Sequence, residues 1–323
     1  MSGFIRLALI AALAPSLAAA QTPVAQLAGP QVAGYKAPKL PPPVGFRVYV
    51  VPDMEGMGSV IMGSEVGGPV GSDYWEHYRS LMTQEVNAVI GGARRAGARD
   101  FVVNEGHGGN RWASTLPWEL DSAAILIRGW PKPIAMLSAF DSTVGTVIIT
   151  GAHAGAGSPG VLSHHFVFDT FSVNGKKLNE AATHALVAGE YGVAVSMVAG
   201  DDQFIQETKE MLGNVVGVVT KQAISRTSAM VWSPARVRQI LADSAAVAVR
   251  RAMAKEFKPF TMQKPYRVQY ALRASYADSV VKLIDAVQFP GVEKLGGRSY
   301  RFTTSDARQI GYLLDALENP LVR

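Results

Sequence analysis

The chain has 323 residues, 48% of them hydrophobic and 18% charged, with a formal net charge of +5. That length suffices for one large core or two ordinary domains, and the short basic pairs Arg94-Arg95, Lys176-Lys177 and Arg250-Arg251 form no phosphate-binding stripe, which argues against a nucleic-acid partner. Cysteine is absent, so disulfides, a lipobox and thiolate ligands are excluded, and any metal site must use His, Asp, Glu and backbone.

Met1 to Arg6 carries one positive charge, Leu7 to Leu17 is apolar, and Ala18-Ala19-Ala20 precedes Gln21. This reads as a signal peptide over 1–20. A Pro-rich linker follows over 21–45, with Pro30, Pro38, Pro41, Pro42 and Pro43. No later apolar run reaches the ~20 residues that cross a bilayer. The expectation is an exported chain, periplasmic or secreted, with no membrane span once the leader is removed; a retained anchor is the alternative.

Phe46 to Val51 is apolar and β-branched apart from Arg47 and predicts a buried strand. Tyr74 to Ala96 places Trp75, Tyr78, Leu81, Met82, Val86, Val89 and Ile90 on one helical face. Strands are expected at 100–104, 123–127, 144–150 and 166–173, the last entering an Asn174-Gly175 turn. A helix over 178–189 precedes a strand over 193–199 and another helix. Ser233-Pro234 opens a long helix to about Glu256, with Ser as N-cap. Strands alternating with helices predict an α/β fold over 46–257, a mainly parallel sheet flanked by helices. Beyond Lys258 the texture changes: a half-exposed strand at 266–272, a helix at 275–284, a strand at 299–303 and a helix at 305–317 predict a smaller C-terminal α+β unit over 258–323.

In a parallel sheet, ligands gather at the carboxyl ends of strands. Asp53 and Glu55 follow the first strand in Pro52-Asp53-Met54-Glu55-Gly56; two carboxylates so close repel unless a cation lies between them. His107 follows the second strand in Glu105-Gly106-His107-Gly108-Gly109, and His153 follows the strand over 144–150 in Gly151-Ala152-His153-Ala154. Imidazole with carboxylate suits zinc, and also manganese or cobalt. A histidine past a strand also often does no more than bond a turn, and an Asp-x-Glu often faces solvent, so on spacing alone both readings stand. His-Glu-x-x-His, Gly-x-Ser-x-Gly and a P-loop are all absent from the sequence.

The motifs Asp53-Met54-Glu55-Gly56, Met82-Thr83-Gln84-Glu85, Val103-Asn104-Glu105-Gly106-His107, Gly151-Ala152-His153-Ala154, Ser158-Pro159-Gly160-Val161-Leu162-Ser163-His164, Asn179-Glu180, Val198-Ala199-Gly200-Asp201-Asp202 and Ile224-Ser225-Arg226 occur in one order. In this series, from residue 46 onward, the chain resembles the bacterial zinc D-aminopeptidases of the dipeptide-operon type. The resemblance implies Asp53 bridging two zinc ions per subunit, with Glu55, His107, His153 and Glu180 as the other protein ligands. It implies His164 as the catalytic histidine, and a ring-shaped homo-oligomer whose internal channel admits only short peptides. The expected function is therefore a binuclear zinc aminopeptidase acting on N-terminal amide bonds, D-amino-acid-containing substrates included. Val51 stands where that family usually has Ser, and Glu105-Gly106 where it often has Asp-Ser. These differences surround the ligands without replacing them.

His165 reads as structural, pointing away from His164 if both sit on a strand. His77 and His184 read as surface or packing residues. Asp201 and Asp202 offer either recognition of the substrate amine or a helix N-cap. Competing expectations are a bimetallic amidohydrolase of other specificity (an L-aminopeptidase or deacylase), a non-catalytic periplasmic metal- or peptide-binding protein, and a metallophosphoesterase using Arg226 and Asn104.

Overall fold

The computed structural model describes residues 39–318 apart from 70, 110, 111, 131, 288 and 290. The expected signal peptide and most of the expected linker lie outside the described residues. The chain runs β1 (Arg47–Pro52), α1 (Asp73–Arg95), β2 (Asp100–Asn104), β3 (Ala124–Ile127) and β4 (Thr146–Ala152). It continues through β5 (Phe168–Val173), β6 (Lys176–Lys177), α2 (Glu180–Glu190), β7 (Val195–Asp201), α3 (Asp202–Leu212), β8 (Val216–Ser225) and β9 (Ser228–Val231). Then come α4 (Pro234–Met253), β10 (Tyr266–Leu272), α5 (Asp278–Val287), β11 (Val292–Gly296), β12 (Ser299–Thr304) and α6 (Arg308–Glu318).

β1 is buried along its whole length because both of its faces are apolar. Val48 and Val50 enter one core cluster, and Tyr49 and Val51 the other. The same division repeats in β4, where Ile148 joins the first cluster and Val147 and Ile149 the second. A strand apolar on both faces belongs inside a layered α/β fold, and each buried side chain of this size contributes about 1.5–3 kcal/mol. α1 and α4 cover the first face through Val86, Val89, Ile90, Val237 and Leu241. α2, α3, α6 and the second sheet cover the other through Ala185, Phe204, Leu313 and Tyr270.

The main sheet has the order β3-β2-β1-β4-β7-β8-β9 and is parallel except for the β8–β9 pair. The second sheet, β11-β12-β10-β5-β6, is antiparallel. This is the expected fold class, a mainly parallel sheet flanked by helices with a smaller α+β layer. The second sheet also takes in a hairpin from the middle of the chain, since β5 pairs with β10. Two features were not anticipated, the β8–β9 hairpin and β11. β8 carries Gly217 and Lys221 inside an apolar pattern, and β11 is an exposed edge, so neither presents an alternation that reads as a strand.

The order of the main sheet places the site. From β1 the chain steps outward to β2 and β3, then returns to β4 on the other side of β1. Loops leaving β1 and β4 therefore diverge from one point, and this reversal opens a crevice beyond their carboxyl ends.

Candidate metal centre

At Pro52 the chain leaves β1 and turns at once. Asp53 N–H donates to the Thr150 carbonyl (2.8 Å), and Gly56 N–H donates to Gly151 (2.7 Å), which stitches the turn to the end of β4. A Cβ on Gly56 would lie 1.9 Å from the Ala152 carbonyl oxygen, and one on Gly151, at φ +70°, 2.1 Å from that of Asp53. Only glycine permits this approach. Further groups hold the turn from outside. Glu85 on α1 accepts Gly58 N–H (3.2 Å), and Thr220 Oγ1 donates to the Gly56 carbonyl (2.6 Å). Lys221 on β8, wholly buried, donates from Nζ to the carbonyls of Glu55, Met57 and Val60.

His107 stands beyond β2 and His153 beyond β4, as their positions in the sequence suggested. Glu180 is the first residue of α2, behind the N-cap Asn179, whose side chain accepts Ala182 N–H. Glu180 Oε1 accepts Phe166 N–H at 2.6 Å, which ties the helix start to the loop bearing His164. Leu162 and Phe166 flank His164 with φ of 51° and 39°. Positive φ at non-glycine residues is costly and gathers at functional sites. The loop is pinned by Asp201, which accepts Val161 N–H (2.6 Å), and by Arg226, which donates to Ser163 Oγ (2.5 Å).

All six expected residues converge. His153 Nε2 lies 3.6 Å from both Asp53 Oδ2 and Glu180 Oε1, and His107 Nε2 lies 3.6 Å from Glu55 Oε1. Ligating atoms of Asp53, His153 and Glu180 lie within 4.8 Å of one another, as do those of Glu55, His153 and His164. His107 stands outside both close groups and joins through Glu55. The imidazole rings of His153 and His164 stack at 3.9 Å. His153 Nδ1 donates to the Ala154 carbonyl (3.0 Å) and His164 Nδ1 to that of Leu162 (2.8 Å), so each Nε2 keeps its lone pair toward the cluster. His107 Nδ1 instead accepts Gly109 N–H (3.2 Å) and lies 2.9 Å from Ser114 Oγ, which fix its ring from behind.

The electrostatics are those of a site short of positive charge. Burial, then the charges of Glu55 and Glu180, push the Asp53 carboxyl well above its usual range. Burial opposes ionisation of Glu55 too, but the neighbouring imidazoles, His107 first, hold it well below its usual value. Burial pushes His153 down to about 3 and lowers His164. Glu55 Oε2 is buried with no hydrogen-bond partner. Three buried carboxylates facing imidazoles, one oxygen unmatched, make a donor set that suits a divalent cation.

The cluster floors a cavity of about 260 Å³ that His164, Phe166 and Arg273 also line. A larger groove of about 820 Å³, edged by Lys176, Lys264 and Arg267, lies elsewhere and contains none of these ligands.

The remaining expectations resolve locally. Asp201 caps α3, accepting Phe204 N–H (2.8 Å), and Asp202 accepts Ala223 N–H (2.7 Å); neither lines the cavity. His165 is buried and stacks on Phe171 at 4.4 Å. It forms an isolated antiparallel bridge with Phe168, where β5 begins, across the two-residue turn 166–167. His184 is buried with Nδ1 2.8 Å from the Glu180 carbonyl, and His77 is exposed. Asn104 bonds the Ala135 carbonyl and Lys132, and Arg226 bonds Ser163, so neither candidate phosphate ligand faces the cavity. Two residues escaped the sequence reading, Lys221 and Arg273. A lone lysine in a strand and a lone arginine after one carry no motif that could have flagged them.

A model of the D-aminopeptidase family matches residues 46–316. A D-aminopeptidase of Bacillus subtilis (strain 168) is 34% identical over 218 residues, covering 67% of this chain and 77% of the relative. A solved structure, the zinc-dependent D-aminopeptidase DppA from Bacillus subtilis, described as a self-compartmentalizing protease, matches with a TM-score of 0.75 at 30% identity. The match covers 86% of this chain and 98% of that one. The fold and the matched span give one conclusion: the chain belongs to the D-aminopeptidase family of peptide hydrolases.

Proposed function

We propose that this protein is a binuclear zinc aminopeptidase that removes D-amino acids from the amino ends of short peptides. The observation that carries the reading is the unmatched Glu55 Oε2 inside the convergence of Asp53, Glu55, Glu180, His107 and His153 at the strand ends of the main sheet. Asp53 would bridge two ions, one also held by Glu55 and His107, the other by His153 and Glu180. The zinc dependence of the solved relative supports this metal. Bound zinc supplies a water of lowered pKa and polarises the scissile carbonyl.

The chain's own residues do the rest. His164 is 29% exposed at its side chain while the five ligands are 2–8% exposed, so it alone of the six meets substrate freely. Its Nε2 lone pair takes a proton as the tetrahedral centre forms, and the same atom returns it to the departing amine. The Leu162 carbonyl fixes the tautomer that allows this. A cavity of about 260 Å³ lies below the usual 300–1,000 Å³ range of drug-sized sites, in keeping with a short peptide.

A ring-shaped homo-oligomer fits the self-compartmentalizing relative and the exposed Ile224, Met230 and Val231 on the β8–β9 hairpin. Export to the periplasm or medium rests on the leader-like N-terminus. Among the described residues no helix is long and apolar enough to cross a membrane.

One geometric fact favours a variant reading. His164 shares a close group with Glu55 and His153, which would make it a ligand. Metal analysis of the purified protein with a panel of D- and L-dipeptides tests the main reading. It is sunk if the protein binds no zinc and chelators leave hydrolysis untouched.

A further inference from the structure

Among the described residues the cavity has one arginine or lysine in its wall, Arg273. Arg273 follows β10, with its backbone held on both sides: its N–H donates to the Val167 carbonyl (2.8 Å), and Arg298 Nη1 donates to its own carbonyl (2.9 Å). The next residue is held as well, Ala274 N–H donating to the Asp169 carboxylate (3.0 Å). Arg273 is therefore presented by a fixed turn of the second sheet, and its side chain is half-buried against the cavity.

Two arginines near it in the second sheet are paired, Arg298 with Asp278 and Arg301 with Glu293. Arg273 has no hydrogen bond or ion pair from its guanidinium among the described residues. Three carboxylates share its cavity, yet none closes on it. A planar fork of five donors lining a small cavity, paired with none of its carboxylates, is suited to a carboxylate brought from outside. In a dipeptide that carboxylate sits about one Cα–Cα step, ~3.8 Å, from the scissile carbonyl. A scissile bond held on the Asp53–Glu180 floor beside His164 puts the carboxylate against the wall and not in solvent.

We propose that Arg273 receives the C-terminal carboxylate of the substrate and so selects dipeptides with a free carboxyl end over amides and longer chains. The proposal rests on the aminopeptidase reading of the same cavity. It adds a chemical reason for short substrates: a longer peptide would carry a neutral amide where the guanidinium expects an anion.

The test compares D-alanyl-D-alanine with D-alaninamide, which has the scissile amide and lacks the carboxylate. In the zinc-loaded wild type the ratio of kcat/KM values should favour the dipeptide. In Arg273→Gln that ratio should fall about 10- to 100-fold, the range for losing one charge-assisted pair, with the loss mainly in KM. Arg273→Lys should restore only part of it, because lysine keeps the charge without the fork. An unchanged ratio overturns the proposal, whether both substrates decline together or neither does. Failure of the underlying reading looks different: the wild type then hydrolyses neither compound. Arg273 is in that case judged by calorimetry on chelator-treated protein. D-alanyl-D-alanine must bind more tightly than its C-terminal amide to the wild type, and no more tightly to Arg273→Gln; equal binding of both to the wild type overturns it.

Discussion

The floor of the cavity comes from strand ends of the parallel sheet, and its ligand side chains are 2–8% exposed; the wall comes from the 155–167 loop and the antiparallel sheet, where His164 is 29% exposed. The floor's atoms face one another, with Nε2 of His153 equidistant from two carboxylates. On the wall, His164 Nε2 stands 3.9 Å from Glu180 Oε1 at the edge of the cluster, and Arg273 lines the cavity. Crowding buried acids costs energy that only a cation recovers, whereas a half-exposed group can exchange protons and meet a ligand. The two regions therefore divide the labour of holding metal and handling substrate.

The largest expected effect breaks the floor. Asp53→Asn removes the charge shared by both halves of the cluster, so zinc content measured by atomic absorption should drop to background and activity with it. Retention of full zinc would show that Asp53 is no bridge. Next, His164→Ala should lower kcat by about 10²- to 10⁴-fold, the usual share of a general acid–base. Bound zinc should stay at the wild-type level, because the residue belongs to the wall. Loss of zinc in that variant would move His164 to the floor, as its close group with Glu55 and His153 allows.

The floor is far more legible in the sequence than the wall. Asp53, His107 and His153 each follow an apolar run and have a glycine within three residues, a local pattern that the parallel sheet turns into one crevice. Glu180 and His164 were reached only through resemblance to a family. Their meeting depends on where α2 begins and on the bonded pair Phe166 N–H and Glu180 Oε1, neither of which is periodic. Arg273 depends on β10 pairing with β5 from far along the chain, a long-range event that no window of sequence contains. Lys221 was hidden for the opposite reason. A single lysine in a strand reads as solvent-facing, yet here its ammonium ends on three carbonyls of the turn beyond β1.

That hidden lysine gives the third prediction, intermediate in size. Lys221→Met keeps the buried volume and removes the donors that hold the Glu55 carbonyl side of the turn. Zinc affinity, measured by competition with a chromogenic chelator, should fall about 10- to 100-fold, as for other groups that orient ligands from behind. Far-UV circular dichroism at the same temperature should match the wild type. Unaltered affinity would make the clamp irrelevant to the floor.

The smallest effect concerns Glu85, which faces the same turn. Burial pushes its carboxyl up to about 7 against the pull of Gly58 N–H and the Lys221 charge, and Oε2 has no hydrogen-bond partner. In the unfolded chain it titrates near its ordinary 4.5. Between those values the unfolded chain releases a proton that the folded chain keeps, so stability falls as pH rises from about 4.5 to about 7 and stays lower above. Burial pushes Lys221 down to about 8, so its own titration lies largely above this window. Glu85→Gln keeps an oxygen for Gly58 N–H and abolishes the titration. Urea unfolding at pH 5 and pH 7.5, with chelator throughout, should show the wild type losing about 2 kcal/mol more than the variant between the two. An equal pH response in both proteins would mean that Glu85 is already ionised in the fold at pH 5. The turn would then be gripped by a buried Glu85–Lys221 charge pair, not by an ammonium beside a neutral acid.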